Sequence, residues 1–182
     1  VITAIAAGCP VIIKPASTTP LSCLALIGIL KEAGLPDGWC QTIICDRKTG
    51  EYLVTDNRVN YFSFIGSGNV GWYLKSKLSP GTRCALEHGG AAPVIISEDA
   101  DLDDILPLLA KGGLYHAGQV CVSVQRVFAH RSIVDDVTAK LAELANAMSC
   151  GDPNETLTEV GPLIRHAEVD RISAWVDEAV EQ

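Results

Sequence analysis

Short apolar runs alternate with helical segments along the sequence, and this alternation restricts the fold more than any other feature. Residues 11–13, Val-Ile-Ile, form a continuous apolar run, which is typical of a strand buried on both faces in a parallel sheet. A helical pattern follows, with Thr19 as its cap, Pro20 at its first position and Gly34 at its end. The sequence therefore begins with a βα unit.

The same rhythm continues to the end of the sequence and predicts an α/β fold. We expect a doubly wound, mostly parallel Rossmann-like sheet, followed by a second α/β portion. The paired glycines 89–90 mark the boundary, which gives domains 1–88 and 89–182. Further strands are predicted at 42–44, 61–65, 84–86, 94–96 and 124–129. Helices are predicted near 72–77, at 102–114, after a Ser132 cap to Met148 and Gly151, and from about His166.

Composition excludes several classes of protein. Hydrophobic residues make up 48% of the sequence and charged residues 20%, which excludes disorder, and no apolar run approaches the roughly 18 residues of a membrane span. A net charge of −8 argues against nucleic-acid and anionic-membrane partners. The seven cysteines are scattered without metal-binding spacing, so we expect reduced thiols, no metal and a cytoplasmic location. Both ends resemble cuts, so the sequence is interpreted as a fragment.

Four local patterns could carry chemistry, and each has a structural alternative. Cys121 follows Gly-Gln-Val between a helix and a strand, where a turn can present a thiol, although most cysteines are buried hydrophobes. Glu87 ends a strand before paired glycines and is a general base or a solvated charge. Residues 66–71 form a glycine-rich turn that is a phosphate site or a plain turn. Lys14 and Ser17 lie after the first strand, at a ligand-binding edge or in solvent.

Together these patterns resemble the aldehyde dehydrogenase superfamily. The similarity rests on IIKPAS, SFIGSGNVG, LEHGG and GQVC followed by VSVQRV, with supporting stretches such as AGLPDGW and APVIISEDADLDD. It covers nearly the whole sequence, as an internal fragment with part of the cofactor-binding domain and the start of the catalytic domain.

The resemblance implies oxidation of an aldehyde to a carboxylic acid with NAD or NADP. Cys121 would be the nucleophile, forming a thiohemiacetal and then a thioester, and Glu87 would be the base for hydrolysis. Lys14 would bind the adenosine ribose. The pyrophosphate would be held by Gly66 and Ser67, with the adenine near Val70.

Three positions depart from the family pattern. Ser17 stands where NAD-preferring members commonly carry a Glu, so a 2′-phosphate would meet no repelling carboxylate and NADP is expected to be accepted. His88 replaces a Leu and Ile65 replaces a Thr, changes expected to affect packing rather than chemistry.

The sequence lacks two segments of the family, which bear an oxyanion-binding Asn and a ribose-binding Glu. Because loss of an oxyanion donor typically costs about 3 kcal/mol, we expect negligible activity from the fragment alone.

Two rival functions stay open at this stage. Acylating relatives hand the thioester to coenzyme A or phosphate, although Glu87 favours water; a noncatalytic structural relative would not need Cys121 and Glu87. The aldehyde is undetermined, and a homodimer or homotetramer is expected from the family.

Overall fold

A computed structural model describes all residues from 1 to 182, and the chain divides into two compact units, Val1–Glu87 and His88–Gln182. No helix in either unit combines the length and the apolar character that crossing a membrane requires.

The first unit alternates helices with short strands. Its elements are α1 (Ile2–Ala6), β1 (Val11–Ile13), α2 (Leu21–Glu32), β2 (Cys40–Thr42), α3 (Arg47–Val54), β3 (Tyr61–Ile65), α4 (Gly68–Lys75) and β4 (Arg83–Glu87).

The strands of the first unit are parallel, as predicted, but they form two separate pairs rather than one continuous sheet. Strand β1 pairs with β2 and β3 pairs with β4. Pro10 and Pro15 flank β1 and have no N–H to donate, which limits the first ladder to a few residues. The α/β class is therefore confirmed, whereas the described strands build small parallel sheets.

Several boundaries in the first unit differ from the sequence prediction, and strand β4 extends one residue beyond 84–86 at each end. The second strand is Cys40–Thr42 rather than 42–44, because Cys40 lies opposite Val11 and is buried. Thr19 does not cap α2: its N–H donates to Ala16 in a turn, and Pro20 occupies the N-cap position. Helix α4 begins at Gly68, earlier than 72.

The second unit has one strand pair and three longer helices. Its elements are β5 (Pro93–Ile96), α5 (Leu102–Leu114), β6 (Arg126–Ala129), α6 (Val134–Ala147) and α7 (His166–Glu181). Strands β5 and β6 are parallel. Ile96 of β5, Leu106 of α5 and Val137 of α6 form the buried core cluster. Helix α5 matches its predicted bounds even though Pro107 lies inside it.

Two predictions in the second unit are wrong in detail. The last strand begins at Arg126 rather than 124, because the N–H of Val124 donates to the carbonyl of Gly112 instead of to a strand ladder. Ser132 does not cap α6; its hydroxyl is 2.8 Å from Nδ1 of His130, and the helix runs only from Val134 to Ala147.

Candidate functional site

The carboxyl ends of β3 and β4 bring two of the predicted site segments together. Ile65 pairs with Glu87 at the last position of the ladder. One residue further, the N–H of Gly66 donates to the carbonyl oxygen of Glu87 over 3.0 Å. The backbone of Glu87 therefore lies directly beside the start of the glycine-rich turn.

The turn leads into α4 with an uncapped helix end. Ser67 is the N-cap residue in an extended conformation, and its side chain makes no capping hydrogen bond. Val70 lies half-buried in the first turn. Because the first N–H groups of a helix have no partner within it, this end suits a phosphate group. The segment Gly66, Ser67 and Val70 therefore fits the pyrophosphate side of a dinucleotide.

Gly66 is also constrained by its neighbour. A Cβ added there would lie 2.6 Å from Cζ of Phe64, inside normal contact distance. The Phe64 ring therefore covers the side of the turn that a larger residue would use, and glycine lets the backbone pass beneath the ring.

Lys14 and Ser17 follow β1 in the same unit. The ammonium of Lys14 donates to the carbonyl of Pro15 over 3.1 Å and is exposed. Ser17 is also exposed, in the turn that a hydrogen bond from Thr19 to Ala16 closes. The exposed ammonium of Lys14 is a cation that a phosphate or sugar hydroxyl can reach.

Helix α3, which the sequence analysis missed, links these two segments. Its Gly50 is buried against the Lys14 side chain, and a Cβ there would lie 3.1 Å from Cδ of Lys14. The next residue, Glu51, accepts a hydrogen bond of 3.0 Å from the hydroxyl of Tyr73 in α4. That bond raises the pKa of Tyr73 above its usual value. A signal was present: Asp46 caps α3 by accepting from the N–H of Thr49.

Cys121 lies in a tight turn of the second unit. The N–H of Ser123 donates to the carbonyl of Val120 over 3.0 Å, which places Cys121 and Val122 at the two central positions. Both central residues are exposed, whereas Ser123 is 1% exposed. Cys121 is thus an exposed residue in a turn whose two ends are joined by a backbone hydrogen bond.

Three glycines lie close to the turn around Cys121. A Cβ added to Gly90 would overlap the carbonyl oxygen of Cys121. On the other side, Gly112 and Gly113 at the end of α5 lie against Val124. Gly90, interpreted from sequence as part of a domain boundary, therefore has a packing role that only its spatial neighbours reveal.

The segment before Cys121 has an unusual backbone. His116, Ala117 and Gly118 have φ angles of +51°, +55° and +70°. Left-handed angles are unfavourable for non-glycine residues, at about 1 kcal/mol or more each, and persist only where surrounding contacts impose them. Since neither His116 nor Ala117 is a glycine, the sequence did not indicate these angles.

The predicted site residues thus occupy two units. Lys14, Ser17, Gly66, Ser67, Val70 and Glu87 belong to the first unit, and Cys121 belongs to the second. Within the first unit the structure brings Glu87 to the glycine-rich turn and connects Lys14 to α4 through α3.

Comparison with known proteins decides the family. A family model described as "Aldehyde dehydrogenase family" matches residues 1–182. The chain belongs to the aldehyde dehydrogenase family.

Curated members of the aldehyde dehydrogenase family are similar over almost the whole chain. A 3-sulfolactaldehyde dehydrogenase from Priestia aryabhattai is 39% identical over 180 residues, which are 98% of this chain and 38% of that protein. A betaine aldehyde dehydrogenase from Cereibacter sphaeroides is 37% identical over 97% of this chain and 37% of its own length. The chain therefore spans little more than a third of these relatives.

Solved aldehyde dehydrogenases share the fold. An NAD-dependent enzyme from Sinorhizobium meliloti matches with a TM-score of 0.91 and 31% identity, over 96% of this chain and 35% of that one. A glyceraldehyde-3-phosphate dehydrogenase from Methanocaldococcus jannaschii, complexed with NADP, matches with a TM-score of 0.90 and 33% identity, over 98% and 40%. The structural neighbours thus include both an NAD-dependent and an NADP-complexed enzyme.

Proposed function

We propose that this chain is the cofactor-binding and nucleophile-bearing part of an NAD(P)-dependent aldehyde dehydrogenase that converts an aldehyde to a carboxylic acid. The observation that carries the proposal is the exposed Cys121 at the centre of a backbone-held turn, in a chain of this family. The relatives' names support an aldehyde as the substrate class.

In the proposed reaction the sulfur of Cys121 attacks the aldehyde carbon and forms a thiohemiacetal. A bound nicotinamide would supply the hydride acceptor; loss of the hydride from this carbon and of the hydroxyl proton would turn the adduct on Cys121 into a thioester. Glu87 then removes a proton from water, whose oxygen attacks the thioester carbon. The carbon–sulfur bond breaks, the acid leaves, and the thiol of Cys121 is restored.

The residues of the first unit would hold the cofactor without reacting. The uncapped end of α4, with Gly66 and Ser67, would hold the pyrophosphate by its N–H groups, and Val70 would line the adenine. Lys14 would bind the adenosine ribose. Ser17 carries no negative charge, which supports acceptance of the 2′-phosphate of NADP as well as of NAD.

The cellular setting is part of the proposal. Net charge −8 supports a small-molecule substrate rather than nucleic acid or an anionic membrane, and scattered cysteines support a reducing compartment, the cytoplasm. A homodimer or homotetramer is proposed for the full-length protein by analogy with the family.

Steady-state rates of the full-length protein across an aldehyde panel, with NAD⁺ and NADP⁺ compared, test the proposal. Cys121→Ala should reduce the rate by on the order of a thousandfold or more, whereas Cys150→Ala, which removes another exposed thiol, should leave it nearly unchanged. Equal activity of the two variants would remove Cys121 from the mechanism.

Glu87→Gln separates hydrolysis from transfer to another acceptor. If Glu87 is the hydrolytic base, the variant should release one equivalent of NAD(P)H in a burst and then stall as the thioester. Unchanged steady turnover of Glu87→Gln would remove Glu87 as the hydrolytic base. Wild-type turnover that depends on added coenzyme A or phosphate would contradict hydrolysis and favour an acylating enzyme.

A further inference from the structure

The left-handed segment that precedes Cys121 must be stabilised by contacts with other residues. His116, Ala117 and Gly118 all have positive φ angles, and two of them are not glycine. A conformation of this kind persists only when surrounding contacts fix it, and such segments cluster at functional sites. Gln119, two positions before Cys121, supplies several such contacts, and its backbone N–H donates to the carbonyl of His116 over 3.2 Å.

The side-chain amide of Gln119 both donates and accepts hydrogen bonds. Its Nε2 donates to the carbonyl of His116 over 2.9 Å and to the carbonyl of Pro162 over 3.4 Å. Its Oε1 accepts from the N–H of Ile164 over 2.9 Å. The side-chain amide therefore adds a second hydrogen bond to the His116 carbonyl, and it alone ties the left-handed turn to a segment more than 40 residues later in the chain.

We propose that Gln119 is a positioning residue that sets the reactive geometry of Cys121. The inference rests on the proposed role of Cys121 as nucleophile. Gln119 is joined to the Cys121 turn by Val120, whose carbonyl accepts the hydrogen bond that closes that turn. A change at the Gln119 amide is therefore transmitted through only one residue. Because displacement of a reacting group by about 1 Å can cost a hundredfold in rate, this amide affects catalysis without touching substrate.

Three variants of the full-length protein test the role of Gln119. Gln119→Met keeps the length of the side chain and removes all three hydrogen bonds. Gln119→Glu keeps an acceptor for the N–H of Ile164 but has no donor for His116 and Pro162. Gln125→Met is the matched control, since that side chain is also exposed and lies just past the turn.

The expected results separate positioning from simple stabilisation. Gln119→Met should lower kcat about tenfold or more, with little change in the KM for NAD(P)⁺. Gln119→Glu should also lower kcat, yet hydrogen exchange at the N–H of Ile164 should stay slow, whereas Gln119→Met should make it fast. Gln125→Met should match the wild type in each measurement.

Two outcomes overturn the inference. One is a kcat for Gln119→Met equal to that of Gln125→Met, including the case in which only the unfolding temperature falls. The other is unchanged exchange at Ile164 in Gln119→Met, which is measurable without any substrate. If the wild-type protein oxidises no aldehyde, the proposed function fails, and the exchange measurement alone still decides whether Gln119 holds the segment. Should Gln119→Met fail to fold, the kcat of Gln119→Glu decides the question.

Discussion

Around Cys121, the backbone position depends on two residues that carry no reactive group. Gly90 lies against the carbonyl oxygen of Cys121, and Gln119 fixes the segment that precedes it. A nucleophile is useful only when its approach to the substrate is held within a fraction of an ångström. The close approach of Gly90 therefore contributes to the proposed chemistry by holding the backbone of the nucleophile.

The paired glycines 89–90 provide a test at the residue scale. In Gly90→Ala the new Cβ would overlap the Cys121 carbonyl oxygen, so the turn must shift. We expect the rate of aldehyde oxidation by the full-length protein to fall on the order of tenfold to a hundredfold. Gly89→Ala is the matched control, because its Cβ meets no atom within 4 Å, and its rate should stay within about twofold of the wild type. Indistinguishable rates for the two variants would contradict a packing role for Gly90.

At the scale of elements, helix α3 joins the parts of the proposed cofactor site in the first unit. Its Gly50 contacts Lys14 and its Glu51 accepts from Tyr73 of α4. The link from Lys14 through Gly50 and Glu51 to α4 therefore depends on whether α3 is formed. Helix α3 has only eight residues and a glycine inside it. Its stability therefore depends more on its N-cap and its packing than on the helix propensity of its residues.

The cap of α3 makes part of its stability depend on pH. Hydrogen bonds from the N–H of Thr49 lower the pKa of Asp46 below its ordinary value of 3.8 in the folded state. The stabilisation is therefore present above the pKa of the unfolded carboxyl and is lost as the pH falls toward the folded pKa. In thermal unfolding, wild type should lose stability relative to Asp46→Asn as the pH is lowered below about 4, since Asn also caps helices but does not titrate. Parallel pH profiles for the two proteins would show that Asp46 does not cap α3 in solution.

Local pattern was enough to predict some elements but not others. Strand β3 and helix α5 have their predicted bounds, because a short stretch rich in aromatic and β-branched residues and an Asp-capped amphipathic helix are local signals. The separate strand pairs and the contact of Gly90 with Cys121 join residues distant in sequence, so no local signal reports them. For the candidate site residues, the sequence indicated which side chains could act as nucleophile, base or cofactor ligand. It did not indicate Gln119, because the hydrogen-bond partners of that side chain include Pro162 and Ile164, which are distant in sequence.

On the scale of the whole molecule, many large apolar side chains are exposed. Ile95 is 83% exposed, Val180 81% and Ile65 72%, and the chain spans 38% of the length of a similar 3-sulfolactaldehyde dehydrogenase. Ile65 is the residue that pairs with Glu87 at the end of β3. Apolar surface of this extent beside proposed site residues is typical of faces that other parts of a protein cover.

The 182-residue chain by itself should therefore oxidise aldehydes at a rate no higher than its own Cys121→Ala variant. It has the proposed nucleophile and base, but the family resemblance implies a further oxyanion donor and a ribose-binding Glu that this sequence does not contain, and one missing oxyanion donor costs on the order of a hundredfold or more. The measurement is NAD(P)H absorbance with an aldehyde panel, using the full-length protein at equal molar concentration as the positive control. NAD(P)H formation by the chain above the Cys121→Ala background would contradict this prediction. It would mean that the 182 residues form a complete site and that catalysis does not require the exposed apolar faces to be covered.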